Sequence, residues 1–115
     1  MNITEISQRL DVNGFMAGLI DSVDGYETET ELTTRLQAKA AEIRAFAAQC
    51  EERPLSKQSS LQMAEFQAKL EADNPPEQRL AFAWHWMMQN IVDCNTQVMV
   101  RATVILGMPV LAAYL

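Results

Sequence analysis

The feature that most constrains this chain is Asn74-Pro75-Pro76-Glu77 and the apolar run behind it, which reads as one long helix from about Glu77 to Leu106. Asn74 has a side-chain oxygen suited to capping a free first-turn amide, and Pro75 suits the first helical position, where a missing N–H costs nothing. Glu77, three residues after Asn74, completes a capping-box pattern. Gly107 followed by Pro109 reads as the stop. A helix of roughly 30 residues extends about 45 Å, so it would span the whole molecule.

On a 3.6-residue wheel, Leu80, Trp84, Met87, Met88, Ile91, Val98, Ala102, Ile105 and Leu106 share one broad face. Gln78, His85, Gln89, Asp93, Thr96 and Gln97 mark the other. Phe82, Trp86, Val100 and Val104 fall among the polar residues, about half a turn from the main stripe. Either the helix is central and buried nearly all round, or these four form a second strip that meets a partner. Both readings stand on the sequence.

The remaining segments look cut to cover this helix. Ile3, Ile6 and Leu10 have helical spacing, and Phe15, Met16, Leu19, Ile20 and Val23 resume it beyond a turn signal at Asp11-Val12-Asn13-Gly14. Gly14 and Gly18, four apart, offer a place for close helix contact. After Asp24-Gly25, Thr28 and Glu31 form a capping box for a helix carrying Leu32, Leu36, Ala40, Ile43, Phe46, Ala47 and Cys50. Arg53-Pro54 ends it. A third helix runs from about Ser56, or from a Ser59/Ser60 cap, to Ala72, with a thin stripe of Leu61, Met63, Ala64, Phe66 and Leu70. No segment alternates like a strand, and the connections are short. The expectation is an all-α fold: a single domain over residues 1–115, built as a small antiparallel bundle of three to four helices around the long C-terminal one.

Charge narrows the partners. The formal net charge is −6, and the ten acidic and four basic residues of 1–52 contrast with five of each in 53–115. Asp21, Asp24, Glu27, Glu29 and Glu31 fall in one stretch without a Lys or Arg. Direct nucleic-acid binding needs clustered positive charge and is disfavoured. A basic protein partner fits the stretch, as does a merely solvated acidic loop and helix start.

No reaction chemistry is legible. His85 has Ala81, Phe82, Met88 and Gln89 at the helical positions where a second metal ligand would sit. No Glu-x-x-His unit is present, and Cys94 lies across the helix from His85. The four glycines are isolated, so no phosphate loop exists. The expectation is no enzyme, cofactor or metal. Cys50 and Cys94 read as buried free thiols. The methionines read mainly as core filling, with adaptable contact surface as the alternative. Asn95 points into the apolar face and could set register with a neighbouring helix. Met1-Asn2-Ile3-Thr4-Glu5 lacks signal-peptide character, and the uncharged run Ala102–Leu115 is too short to span a bilayer. A cytoplasmic chain without a transmembrane segment is expected; export without a classical signal stays open.

Met1-Asn2-Ile3-Thr4-Glu5-Ile6-Ser7-Gln8 resembles the opening of some type III secretion needle subunits. Asn74-Pro75-Pro76-Glu77-Gln78-Arg79-Leu80 is similar to the turn that opens the C-terminal helix of needle and inner-rod subunits. The resemblance covers about fifteen residues. It implies that the Glu77–Leu106 helix forms a polymer with copies of itself. This chain departs from that family in its length, in the extra helix over Thr28–Cys50, and in Trp84 and Trp86. The expected function is a non-enzymatic interaction protein: an assembly subunit or helical chaperone working through Phe82, Trp86, Val100 and Val104, with Val110–Leu115 as a further contact. The alternative is an acidic inhibitor or adaptor, of the kind mobile elements use, that binds a basic protein of nucleic-acid machinery through Asp21–Glu31.

Overall fold

The computed structural model describes residues 11–51, 57–93 and 97–115, and among them it is all helical. Six helices follow in order: α1 (Val12–Val23), α2 (Glu29–Ala38), α3 (Ala40–Glu51), α4 (Lys57–Asp73), α5 (Pro76–Asp93) and α6 (Gln97–Ala112). The expectations for Ile3, Ile6 and Leu10, for the Arg53-Pro54 stop, and for Cys94 and Asn95 lie outside the described residues. So do those for the side chains of Glu77 and Val98.

The single long helix is corrected to two. Gly107 lies against Met87 so closely that a Cβ on it would sit 2.8 Å from Met87 Cγ and Sδ. In one continuous helix these residues would be about 30 Å apart. The chain therefore folds back between α5 and α6, and the two helices pack on each other. The stop is also corrected. Helix α6 runs through Pro109 to Ala112, and Gly107 serves the α5–α6 approach rather than a cap.

The central element is α6, which packs against α1, α3, α4 and α5. Val104, Ile105, Met108, Val110 and Leu111 on it are all buried. A helix with apolar residues on several sides needs neighbours on several sides, and α6 has them. The tail Val110–Leu115, expected as contact surface, is instead part of the fold. Val110 and Leu111 are core, the Tyr114 hydroxyl donates to Glu71 Oε1 (3.0 Å), and Arg44 donates to the Leu115 carbonyl (3.2 Å).

Local chemistry explains the helix starts. Asp11 caps α1 from a left-handed conformation (φ 45°), its carboxylate accepting from the Gly14 amide. A Cβ on Gly14 would meet that carboxylate at 2.5 Å, so any larger residue there would make the Asp11 side chain shift. The expected turn at Asp11–Gly14 is thus a helix start. Gly18 makes no close helix contact, since a Cβ there would meet nothing within 4 Å. Thr28 Oγ1 accepts from the Glu31 amide (3.1 Å), and Glu31 reaches back to the Glu27 amide (3.1 Å), one residue before the cap. The helix expected over Thr28–Cys50 breaks at Lys39, whose amide bonds Leu36 O (3.0 Å); no Gly or Pro marks the break. Its stripe survives, with Leu32, Leu36, Ile43, Phe46, Ala47 and Cys50 all buried. At the α4–α5 turn the Asn74 amide donates to Leu70 O (3.2 Å), closing α4 instead of capping α5. Arg79 joins it there, donating to the Asn74 and Glu71 carbonyls (3.0 and 2.9 Å).

Candidate docking groove

Helices α4, α5 and α6 are positioned by two close contacts. Phe66 of α4 stacks on Trp86 of α5, ring centroids 4.0 Å apart, and lies 6.4 Å from the Phe82 ring. Gly107 of α6 meets Met87 one residue further along α5. Both pairings are antiparallel. The start of α4, the end of α5 and the start of α6 therefore lie at the same end of this layer. Between the three helices opens a groove of about 610 Å³ with Met63, Phe66, Trp86, Met99 and Leu106 among its walls. That volume is in the range of binding clefts.

The exposed large apolar residues described all lie on the three helices that form it. Met99 is 55% exposed and lines the groove. Leu61 (53%) and Val92 (81%) stand at the same end, in the first turns of α4 and the last turn of α5. Phe82 (37%) flanks the Phe66–Trp86 stack. Thr103 donates to Met99 O (2.9 Å) and Asn90 to Trp86 O (2.8 Å), so two of the polar lining residues are engaged with their own helices. Glu65 and Lys69, one turn apart on α4, line the groove, and neither forms an ion pair with a described residue.

The four residues expected as a strip are therefore separated. Trp86 lines the groove, whereas Phe82 lines a separate hollow with Glu29, Asn74, Gln78 and His85. Val100 is half-buried on α6. Val104 is a correction: it is fully buried, and a side chain in the core of a central helix offers no contact surface. The sequence reading passed over Met63, Phe66, Met99 and Leu106 as docking residues. Their signal was faint: α4 carries more large apolar residues than Leu70, its one fully buried position among those described, accounts for.

The acidic stretch divides as well. Glu31 pairs with Arg35 (2.6 Å), which also donates to the Val23 carbonyl (3.2 Å) and to the Asp24 carbonyl. The Glu27 N–H on its carboxylate holds Glu31 below the usual carboxylate range against some desolvation, and Arg35 adds to the effect. Glu29 meets His85 Nε2 (3.1 Å), and His85 Nδ1 meets the Tyr26 hydroxyl (3.4 Å). A neutral imidazole protonated at Nε2 satisfies both neighbours, giving to Glu29 and accepting from Tyr26. This bridge fastens α2 and the loop before it to α5. Burial, then the charges of Glu29 and Asp24, raise the Tyr26 phenol, which keeps it protonated and a poor nucleophile. Asp21, Asp24 and Glu27 remain exposed, with no ion pair among the described residues.

Burial, with help from Glu51, pushes the Cys50 thiol up to about 12, so it is not a thiolate at neutral pH. No cluster of three or more His, Cys, Asp or Glu able to hold a metal occurs among the described residues. Among them, too, no helix is long and apolar enough to cross a membrane. No family model, curated protein or solved structure matches the chain. The resemblance to needle and inner-rod subunits rests on the sequence patches alone, and the helix it assigns to polymer formation is the one that is divided into α5 and α6.

Proposed function

We propose that the protein is a non-enzymatic helical interaction module, a chaperone or assembly adaptor that holds an apolar segment of another protein in the α4–α5–α6 groove. The observation that carries this reading is the placement of Leu61, Phe82, Val92 and Met99. These exposed large apolar residues all stand on α4, α5 and α6, and Met99 lines the groove itself, while the apolar faces of α1, α2 and α3 are spent on the core. Apolar walls such as Met63, Phe66, Trp86, Met99 and Leu106 on a concave site are what a docking surface requires, whereas scattered apolar residues need no explanation. Methionine at Met63 and Met99 suits the task, because an unbranched thioether repacks around differently shaped guests.

The test uses the purified chain and an apolar dye such as bis-ANS. Wild type binds the dye with a change in Trp86 emission, and Met99→Asp abolishes binding while leaving the far-ultraviolet circular dichroism unchanged. A wild type that binds no dye, or a Met99→Asp variant that binds as wild type does, overturns the reading.

The acidic-adaptor alternative retains three exposed carboxylates, Asp21, Asp24 and Glu27. Glu29 and Glu31 are already engaged by His85 and Arg35. Charge reversal at those three should abolish binding to a basic partner if the alternative holds, and leave groove binding intact if it does not.

A further inference from the structure

Resting on the groove reading, we propose that the occupant is an amphipathic helix from a partner protein. It inserts two turns of apolar side chains and carries a cation opposite Glu65 and a carboxylate opposite Lys69.

The dimensions point to a helix. The α4 wall runs from Gln62 to Lys69 and the α6 wall from Met99 to Leu106. Seven residues at 1.5 Å each make either wall about 10.5 Å long, which is the reach from i to i+7 on a guest helix. The guest would therefore place apolar residues at i, i+3 or i+4, and i+7, over the Phe66–Trp86 stack. With helices for walls, the slot has the surface texture that side-chain ridges of a further helix fill.

Charge supplies the rest. Glu–Lys pairs four apart on a helix ordinarily attract each other, as Glu31 and Arg35 do here at 2.6 Å. Glu65 and Lys69 have that spacing and do not pair. Both line the groove, so both charges are available to a guest. A groove edge with one charge of each sign favours a guest with the complementary two and disfavours one with two like charges. A second copy of this chain fits less well. A second copy would have to offer a convex apolar ridge, and among its large exposed apolar residues described Met99 lies within the groove itself.

The experiment uses three synthetic helical peptides with one apolar stripe. At the two flanking positions they carry Lys and Glu, two Lys, or two Glu. Binding is read from Trp86 fluorescence, with Trp86→Phe as the silent control. Wild type should prefer the mixed peptide by about threefold to tenfold, the range that exposed ion pairs supply. Lys69→Glu should shift the preference to the double-Lys peptide, and Glu65→Lys to the double-Glu peptide. Both residues are exposed, so both variants should keep the fold. Equal binding of all three peptides by wild type and variants overturns the charge assignment. Dye binding without binding of any peptide overturns the helical occupant and leaves the groove reading standing; absence of dye binding removes both. A discrete dimer in light scattering, dissociated by Met99→Asp, assigns the groove to a second copy and overturns the proposal.

Discussion

Gly107 and Met87 test the fold most directly, because their contact exists only if the chain turns back between α5 and α6. In Gly107→Ala the new Cβ lies 2.8 Å from Met87 Cγ and Sδ and 3.3 Å from Trp86 Cζ3. Comfortable carbon contacts begin near 3.5 Å, so the overlap is about 0.7 Å. Met87 is fully buried, which leaves it little room to retreat. Overpacking of this kind costs about 1–3 kcal/mol. Ala in place of Gly inside a helix returns about 1 kcal/mol. The net loss should be about 1 kcal/mol. Met87→Ala alone should cost about 2–5 kcal/mol through lost burial and a cavity. With Cγ and Sδ gone, the clash disappears and the Ala at 107 fills part of the space. Gly107→Ala in the Met87→Ala background should then stabilise by about 1 kcal/mol, a coupling of about 2 kcal/mol. Urea titrations followed by circular dichroism at 222 nm, on wild type, both single variants and the double, measure it. Additivity to within about 0.5 kcal/mol would refute the reasoning, since that is what two sites about 30 Å apart on one helix must show.

Three further outcomes follow from the same geometry. Arg35→Met should lower stability by about 1–2 kcal/mol, measured by urea unfolding, because it frees the Val23 and Asp24 carbonyls and the Glu31 carboxylate together. The folded-state pKa of Glu31 lies below its ordinary 4.5, so the unfolded chain binds more protons between the two values, and stability rises with pH there. The Glu31 contribution is complete above 4.5 and is lost as pH falls through the folded value. Glu31→Gln should accordingly melt below wild type at neutral pH, with the gap closing in acid. In a Cys94→Ser background, Cys50 should not react with Ellman's reagent at pH 8 until denaturant unfolds the chain, because its thiol is buried and its pKa is raised to about 12.

Much of the local structure was legible. Thr28 and Glu31 announce the start of α2, and both halves of their reciprocal bonding to backbone amides are present. The stripe Leu32, Leu36, Ile43, Phe46, Ala47, Cys50 announces a buried face, and all six are buried even though the helix breaks at Lys39. Such features are readable because each depends on residues within a turn or two of one another. Trp86 stands out in the sequence as a large aromatic among polar residues, and it lies half-buried in the groove wall, stacked on Phe66.

The groove was not legible, because its walls come from residues up to 44 positions apart, from Gln62 to Leu106. Nor was the use of His85, whose partners Tyr26 and Glu29 arrive from 59 and 56 residues away. The break between α5 and α6 left only a weak trace. Asp93-Cys94-Asn95-Thr96 groups four residues of low helix propensity, with no Gly or Pro to announce a turn.

The sequence by itself determined that the chain is helical, about where α2, α4 and α5 begin, and which stripes of α1, α2 and α3 turn inward. Periods of 3.6 and caps are local matters, and they survive any arrangement of the helices. Only the tertiary structure decided that the apolar C-terminal third is a hairpin with α6 at its centre. A straight helix and a folded-back pair carry the same periodicity. What separates them is burial: Val104, Ile105, Met108 and Leu111 cover α6 on more sides than one neighbouring face could shield. Folding back brings α1, α3, α4 and α5 around it, takes that surface out of water, and leaves a groove between α4, α5 and α6.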